Sequence, residues 1–411
     1  MDERSLLRGL FEAAVAAADP SKVVQPHLPS PPPGRTLALA AGKAAASMAC
    51  AVEQCWPAEL EGIAVTRYGH GVDCQRIEVI EAGHPLPDEA GQGAASRFLS
   101  AAAGLGPDDL LLFLLSGGAS ALLVEPLPGL GLTDKQAINR VLLEAGAPIG
   151  EMNCLRKHLS AIKGGRLAAT AAPARVVTLA ISDVPGDDPA VIGSGPTSAD
   201  PTSCADALAV ADRYDISLPD AARSALAQGV WETVKPADPC LARTDYALVA
   251  RPADALAAAA VKAREMGLDV VRLGDDLQGE ARDLGSAHAE LARRHAPGVL
   301  ISGGEVTVTT NTPGGKGGPN CEYLLALAVA LDGAPNVHAI ACDTDGIDGS
   351  ADAAGAFIGP YTLARARAAG MDAREMLARH DSYEFFRKLG DLVTTGPTRT
   401  NVNDFRAVLI A

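Results

Sequence analysis

The stretch NCLRKHLSAIKGGRLAATAAPARVVTLAISDVPGDDPAVIGSGPTSADPT, residues 153–202, decides how the rest of the chain is read. It opens with cations: Arg156, Lys157 and Lys163 lie within about two turns of a predicted helix, and Gly164 and Gly165 follow. An apolar run from Val176 to Ile181 then predicts a buried parallel strand. At the end of that strand comes SDVPGDD, where α/β sheets place their ligand-binding loops. Gly193, Ser194, Gly195, Pro196 and Thr197 complete the stretch, and their small side chains let backbone amides approach an anion closely.

Upstream, the same grammar recurs twice. Thr36 to Ala41 predicts a strand, and Gly42, Lys43, Ala44 and Ala45 turn it into an Ala-rich helix. A helix amino terminus offers free amides, and Lys43 adds a full charge, which together suit a phosphate. The Walker A pattern is absent, and a surface lysine beside a packing glycine would give the same string. Leu110 to Leu115 predicts a second strand, followed by Ser116, Gly117, Gly118, Ala119 and Ser120 and then a helix. A tight turn with a serine cap would need fewer small residues than these two glycines and two serines, so an anion site is the better reading. Ile63–Thr66 and Ile77–Ile80 add strands, the second leading to His84, which binds substrate or satisfies a local backbone bond. Residues 3–19 have helical spacing, Pro26 to Pro33 is a connector, and Thr133 is the expected cap of a helix from Asp134 to Ala145.

Downstream, an alanine-rich helical region runs to about Val230, and Pro236 to Pro239 is the expected domain boundary. Tyr246–Ala250, Asp254–Met266, Asp269–Leu273 and Glu280–His295 alternate strand and helix, which implies a second set of parallel strands. Gly298–Ser302 and the β-branched Val306–Thr310 are further expected strands, and the glycine loop from Gly314 to Gly318, with Lys316 as its cation, reads as a lid. After the helix starting at Asn320, His338–Ala341 ends in a segment carrying Asp343, Asp345 and Asp348. Its spacing fails the EF-hand pattern, whereas magnesium shared with phosphates demands only one or two carboxylates; a solvated Asx turn accounts for the same residues. Ala407–Ile410 is the last expected strand.

A chain of 411 residues with 48% hydrophobic content calls for two domains. Its net charge of −15 argues against a general nucleic-acid or anionic-membrane binder, though local cation clusters still suit a small acid. The eight cysteines include no CxxC pair, which argues against zinc or redox motifs. With Asp2, Glu3 and Arg4 in place of a signal-peptide pattern, the expectation is a cytoplasmic protein with reduced thiols.

With these motifs in hand, the chain resembles the class II glycerate kinases, the glycerate 2-kinase or MOFRL family, long mislabelled hydroxypyruvate reductases. AAGKAAASM, LLSGGASALL, NCLRKHLSAIKGGRLA, ISDVPGDDPAVIGSGPTSADPT, DTDGIDGSADAAGA and TGPTRTNVNDFRAVLI carry the likeness, which spans essentially the whole chain. The resemblance implies an α/β fold of two domains. Residues 1–236 would form an N-terminal Rossmann-like parallel sheet flanked by helices, residues 237–411 a smaller MOFRL-type domain, with the active site in the cleft between them. It implies transfer of a phosphoryl group from ATP, with Mg2+, to the 2-hydroxyl of D-glycerate. Lys43 would stabilise the moving phosphoryl group, and Asp183 or Asp187 would orient the hydroxyl or hold magnesium. Ser116, Gly117, Gly118, Ala119 and Ser120 would cradle an anion, and Arg156 and Lys163 would anchor the carboxylate. Gly193 to Thr197, Gly315, Lys316, Asn320, Glu322 and Asn403 would lie near the nucleotide, with Asp187 and Asp345 as metal ligands. One departure stands out: Pro319 replaces an arginine present in many members, leaving Lys316 or Arg399 to compensate.

Rival classes remain on the residues alone. An NAD(P)H-dependent hydroxypyruvate reductase calls for G-x-G-x-x-G after a strand, and both GSGPTS and GKGGPN lack the third glycine. A non-catalytic binding module explains the loops but not the carboxylates beside them, and a kinase for a related sugar acid shares the same motifs. The expected partners are a small acid and ATP, with no nucleic acid and no membrane, and a homodimer is the commonest assembly for such enzymes.

Overall fold

The computed structural model describes residues 2–310, 315 and 317–411. It divides into two compact units, Pro20–Val249 and a second made of Met1–Asp19 with Ala250–Ala411. The expected boundary at 236/237 is therefore replaced by one at 249/250, and the amino-terminal helix α1 (Glu3–Ala17) belongs with the carboxy-terminal half. Physical causes are visible for both. Phe11 of α1 packs on Phe405 with ring centroids 6.0 Å apart, and the Thr400 hydroxyl donates to the Ala18 carbonyl at 2.7 Å. Residues 237–249, for their part, include a strand of the first sheet.

That first sheet has six strands: β1 (Thr36–Ala41), β2 (Glu61–Arg67), β3 (Ile77–Ala82), β4 (Leu110–Leu115), β5 (Arg175–Ile181) and β6 (Thr244–Ala250). Their order is β3-β2-β1-β4-β5-β6, and every pairing from β3 through β5 is parallel. Tyr246–Ala250, expected in the second sheet, lies at the edge of the first because the Val176 amide bonds the Arg243 carbonyl at 2.9 Å and Arg175 pairs with Asp245. β1 and β4 are buried along their whole length. That follows from unbroken apolar sequence covered on both faces.

Helices α2 (Ala45–Cys55), α3 (Glu89–Ala102), α4 (Leu132–Glu144), α5 (Ile149–His158), α6 (Arg166–Ala171), α7 (Cys204–Arg213) and α8 (Asp220–Ala227) complete this unit. Phe98 of α3 and Leu167 of α6 pack on Leu39, Leu111 and Phe113 of the sheet. Truncating a fully buried Phe113 to Ala would cost about 3–5 kcal/mol. A separate layer encloses Leu142, Met152, Leu155, Val210, Leu226 and Trp231. The cap of α4 is Gly131 and not Thr133: the helix starts at Leu132, two residues earlier than expected, and Asp134 reaches back to accept from the Gly131 amide at 2.8 Å.

The second sheet comprises β7 (Val270–Gly274), β8 (Gly298–Ser302), β9 (Val337–Asp343), β10 (Gly355–Ile358), β11 (Leu392–Val393) and β12 (Asp404–Ile410), in the order β11-β10-β9-β12-β8-β7. It is mixed rather than parallel, because β12 enters between β8 and β9 running opposite to both. Val306–Thr310 forms no ladder; Thr307 makes only an isolated bridge to Glu280. Helices α9 (Pro252–Glu265), α10 (Ala281–Arg294) and α11 (Pro319–Leu331) flank the sheet. Nearly all of α11 is buried, and its Tyr323 hydroxyl meets His288 Nδ1 at 2.8 Å. No helix among the described residues is long and apolar enough to cross a membrane.

Candidate active site

In a doubly wound sheet, ligands bind beyond the carboxyl ends of the strands where the order reverses. Here that switch point lies between β1 and β4, whose register sets Ala41 beside Leu115. The two turns that follow are laced together. The Lys43 amide donates to the Gly117 carbonyl at 2.8 Å, and the Ala44 amide donates to the Ser116 hydroxyl at 3.0 Å. Gly42 is required because a Cβ there would run into Ser116. Ser116 is thereby fully buried, its hydroxyl spent on holding the turns. Gly118 has φ +81°, and a Cβ there would stand 3.1 Å from both the Lys43 Cγ and the His84 Nε2. Lys43, His84 and Gly118 thus share one corner, and Ala119 and Ser120 open the short helix Ala119–Leu122 beside it.

Next to this corner is a cavity of about 210 Å3 lined by His84, Gly118, Ser120, Lys135, Arg156 and Lys163, among others. No carboxylate is among the described residues that line it. Lys163 is buried, and its Nζ donates to the Ser120 carbonyl at 2.6 Å and approaches the Ser120 hydroxyl at 3.2 Å. That hydroxyl meets Ser194 Oγ at 2.8 Å, which in turn donates to Asn153 at 3.4 Å. Arg156 Nε donates to Asn139 Oδ1 at 2.6 Å. Burial pushes the Lys135 amine down to about 7, with the charges of Arg156 and Arg166 adding to the effect. Lys163 is pushed well below the ordinary lysine range by burial first and by Lys135 and Arg156 next. Arg156 and Lys163, with no carboxylate among the described lining residues, can receive an anion, since a bound negative charge relieves both burial and repulsion, while Lys135 is spent on the Arg156 and Leu159 carbonyls.

Lys135 and Asn139 escaped the reading of the sequence. A usable signal was there: Lys135 occupies the same helical stripe as Ile138 and Leu142, both buried. A charge in an apolar register needs a reason.

In the segment Gly193–Thr197, two of the amides expected to cradle an anion are engaged within the chain. The Ser194 and Gly195 amides donate to the Val191 and Ile192 carbonyls, while the Ser194, Gly195 and Pro196 carbonyls accept from Gly164, Gly165 and Leu167. Thr197 Oγ1 meets Thr178 Oγ1 at 2.7 Å inside the core. The segment is a packing seam that reaches the cavity through Ser194. Nearby, Asp183 is half-buried just past β5, and Asp187 holds one buried carboxylate oxygen, Oδ1, that has no hydrogen-bond partner among the described residues. An orphaned carboxylate oxygen suits a cation, so Asp187 fits a role in holding Mg2+. Among the described residues the one close trio of metal-binding types is His158, Cys204 and Glu232, where Lys235 already stands 2.6 Å from Glu232; neither Asp187 nor Asp345 belongs to it.

In the second unit, Asp348 accepts from the Asn320 and Cys321 amides, each at 2.9 Å, and so closes the amino terminus of α11. Burial raises Asp348 to about 6. The Asn320 side-chain Nδ2 donates to Asp404 at 2.6 Å, and Asn320 Oδ1 and Asn403 Nδ2 are buried without partners among the described residues. Asp345 is fully buried, with Oδ1 accepting from the Ile347 amide at 2.8 Å. Glu322, expected near nucleotide, is bonded instead to Arg282 at 2.6 Å and His380 at 3.0 Å. The Gly315 amide donates to the Arg379 carbonyl at 3.0 Å, and Lys316 lies outside the described residues.

A family described as a domain of unknown function (DUF4147) matches residues 6–227, and the MOFRL family matches residues 298–404. A protein of Pyrococcus horikoshii named glycerate 2-kinase is 38% identical over 100% of this chain and 98% of its own length. One of Agrobacterium vitis, named putative hydroxypyruvate reductase, is 54% identical over 99% of this chain and 94% of its own. The crystal structure of glycerate kinase from Thermotoga maritima superposes with a TM-score of 0.88 at 37% identity, covering 99% of both chains. The fold and these likenesses define a small-molecule kinase. The chain belongs to the MOFRL-containing glycerate 2-kinase family, in which the reductase name is a mislabel.

Proposed function

We propose that this chain phosphorylates the 2-hydroxyl of D-glycerate with ATP, giving 2-phospho-D-glycerate and ADP. The observation that carries the reading is the carboxylate-free cavity of Arg156, Lys163 and Ser120 beside Lys43 at the sheet's switch point. Arg156 offers a planar fork to the carboxylate, and Lys163 and Ser120 line the same cavity and would hold the acid with it. The bond from the γ-phosphorus to the β,γ-bridging oxygen breaks, the glycerate 2-oxygen takes the phosphorus, and the hydroxyl proton passes to Asp183 or Asp187. Lys43 stabilises the charge on the phosphoryl group in transit, the kind of assistance that phosphoryl transfer chiefly needs. Asp187 would hold Mg2+, which when bound neutralises phosphate charge. We also propose a cytoplasmic location, where ATP is supplied, and a homodimer, which light scattering would check.

Hydride transfer from a nicotinamide cofactor has little support, because no strand of the first sheet leads into the three-glycine fingerprint. The deciding assay follows ADP release from ATP, Mg2+ and D-glycerate beside NADH and NADPH oxidation with hydroxypyruvate, with the position of the new phosphate determined. ADP release with 2-phosphoglycerate and no nicotinamide turnover is expected. Nicotinamide oxidation without ADP release would overturn the proposal.

A further inference from the structure

We propose that Lys135 and Asn139 are positioning residues that together aim Arg156 at the carboxylate of the organic acid, an inference that rests on the reading of this cavity as the acid site. Both lie on α4, one turn apart and therefore on one face of the helix. Lys135 Nζ donates to the backbone carbonyls of Arg156 at 3.2 Å and Leu159 at 3.3 Å, at the carboxyl end of α5. Asn139 Oδ1 accepts from the guanidinium Nε of the same arginine at 2.6 Å. One helix therefore grips Arg156 at its backbone and at the root of its guanidinium.

The grip leaves the useful end available. Among the described residues, the two terminal nitrogens of Arg156 make no hydrogen bond, while the residue lines the cavity. A guanidinium tied at Nε still presents its end-on pair of N–H groups, the geometry that takes both oxygens of a carboxylate. Fixing the arginine beforehand removes the rotamer freedom that binding would otherwise have to freeze. A plainer role, in which Lys135 merely satisfies the carbonyls ending α5, accounts for its position but not for Asn139. It also leaves unexplained why a buried basic group stands in an apolar stripe, with no carboxylate lining the cavity, when a methionine would fill the same volume.

The test measures steady-state kinetics of the full chain carrying Lys135→Met, Asn139→Leu or Asn139→Gln. Lys135→Met and Asn139→Leu should each raise the KM for D-glycerate about tenfold, with kcat and the KM for ATP within about twofold. Asn139→Gln keeps a neutral amide acceptor and should stay nearer the parent than Asn139→Leu does. In an Arg156→Ala background neither substitution should add a further change, because both act through that arginine. An unchanged KM for the acid, a parallel rise in both KM values, or full additivity with Arg156→Ala would overturn the proposal. Should Lys135→Met fail to fold, Asn139→Leu against Asn139→Gln decides it alone. Calorimetric titration with D-glycerate, without ATP, separates this inference from the kinase reading. A parent that binds the acid but releases no ADP overturns the kinase and leaves the variants' dissociation constants to decide the positioning role. A parent that neither binds the acid nor releases ADP overturns both.

Discussion

Lys163 and Ser120 are joined twice, the amine nitrogen lying 2.6 Å from the serine carbonyl and 3.2 Å from its hydroxyl. This double contact ties the turn after β4 to the segment that begins α6, and it fixes a basic group where no carboxylate neutralises it. Lys163→Met should lower kcat/KM for the acid about 10- to 100-fold, the equivalent of ~1.5–3 kcal/mol for a hydrogen bond to a charged group. The melting temperature should hold or rise, since an apolar chain of similar volume replaces a buried basic one. A lower melting temperature with unchanged kcat/KM would reassign Lys163 to folding.

The bonds that fix the Lys43 turn come from its backbone: its amide donates to the Gly117 carbonyl, and its carbonyl accepts from Thr66 Oγ1 at 3.3 Å. Lys43→Ala keeps both. It should reduce kcat by about 10²–10³-fold while far-ultraviolet circular dichroism stays that of the parent. Near-normal turnover would remove Lys43 from the mechanism.

At Gly118 two penalties meet, the left-handed φ of +81° and the 3.1 Å approach of a new Cβ to Lys43 and His84. Gly118→Ala should destabilise the protein by about 1–3 kcal/mol in urea titrations. By displacing Lys43 it should also cut kcat by about 10- to 100-fold. Loss of stability with full activity would place the lysine elsewhere during turnover.

Asp348 gives a pH dependence of definite sign. Burial raises its folded value to about 6 from the ordinary 3.8, so between these values the folded chain binds more protons than the unfolded one. Stability from this group is therefore greatest below about pH 4 and is lost as pH climbs through 6, a span worth up to about 3 kcal/mol. Denaturation series at pH 4.5–7.5 should show a slope for the parent that flattens in Asp348→Asn. An equal slope in both would locate the titrating group elsewhere.

Much of the first unit was legible because β1, β4 and β5 are apolar runs ending in glycine or acidic turns, and such runs have few alternatives in a parallel sheet. The turns carrying Lys43 and Gly118 were marked by the same punctuation, whereas their meeting with His84 in one corner was not. What stayed hidden depended on long-range pairing. Nothing local distinguishes a β6 that joins β5 from one that starts a new sheet, and nothing in Asp404–Ile410 reveals that it runs opposite to both neighbours. Val306–Thr310 has strand composition without a partner edge, and propensity alone does not create a ladder. The roles of Ser116 and Glu322 were hidden for a related reason: their side chains are claimed by Ala44 and by Arg282 and His380, from distant parts of the sequence. Lys135 was visible in principle, through its register with Ile138 and Leu142.

The membership of α1 in the second unit sets an order of events during synthesis. Its apolar stripe of Leu7, Leu10, Phe11 and Ala14 leaves the ribosome first, yet its partners Phe405 and α9 follow only after the whole of Pro20–Val249 has been made. At roughly 5–20 residues per second that is a delay on the order of ten seconds or more, during which a greasy helix has no home. A nascent chain stalled before β12 would hold a finished first unit and an unfinished second one. An excised 250–411 fragment would expose the face that α1 covers, whereas a circular permutant opening at Pro20 would make α1 and its partners next to one another and shorten the wait.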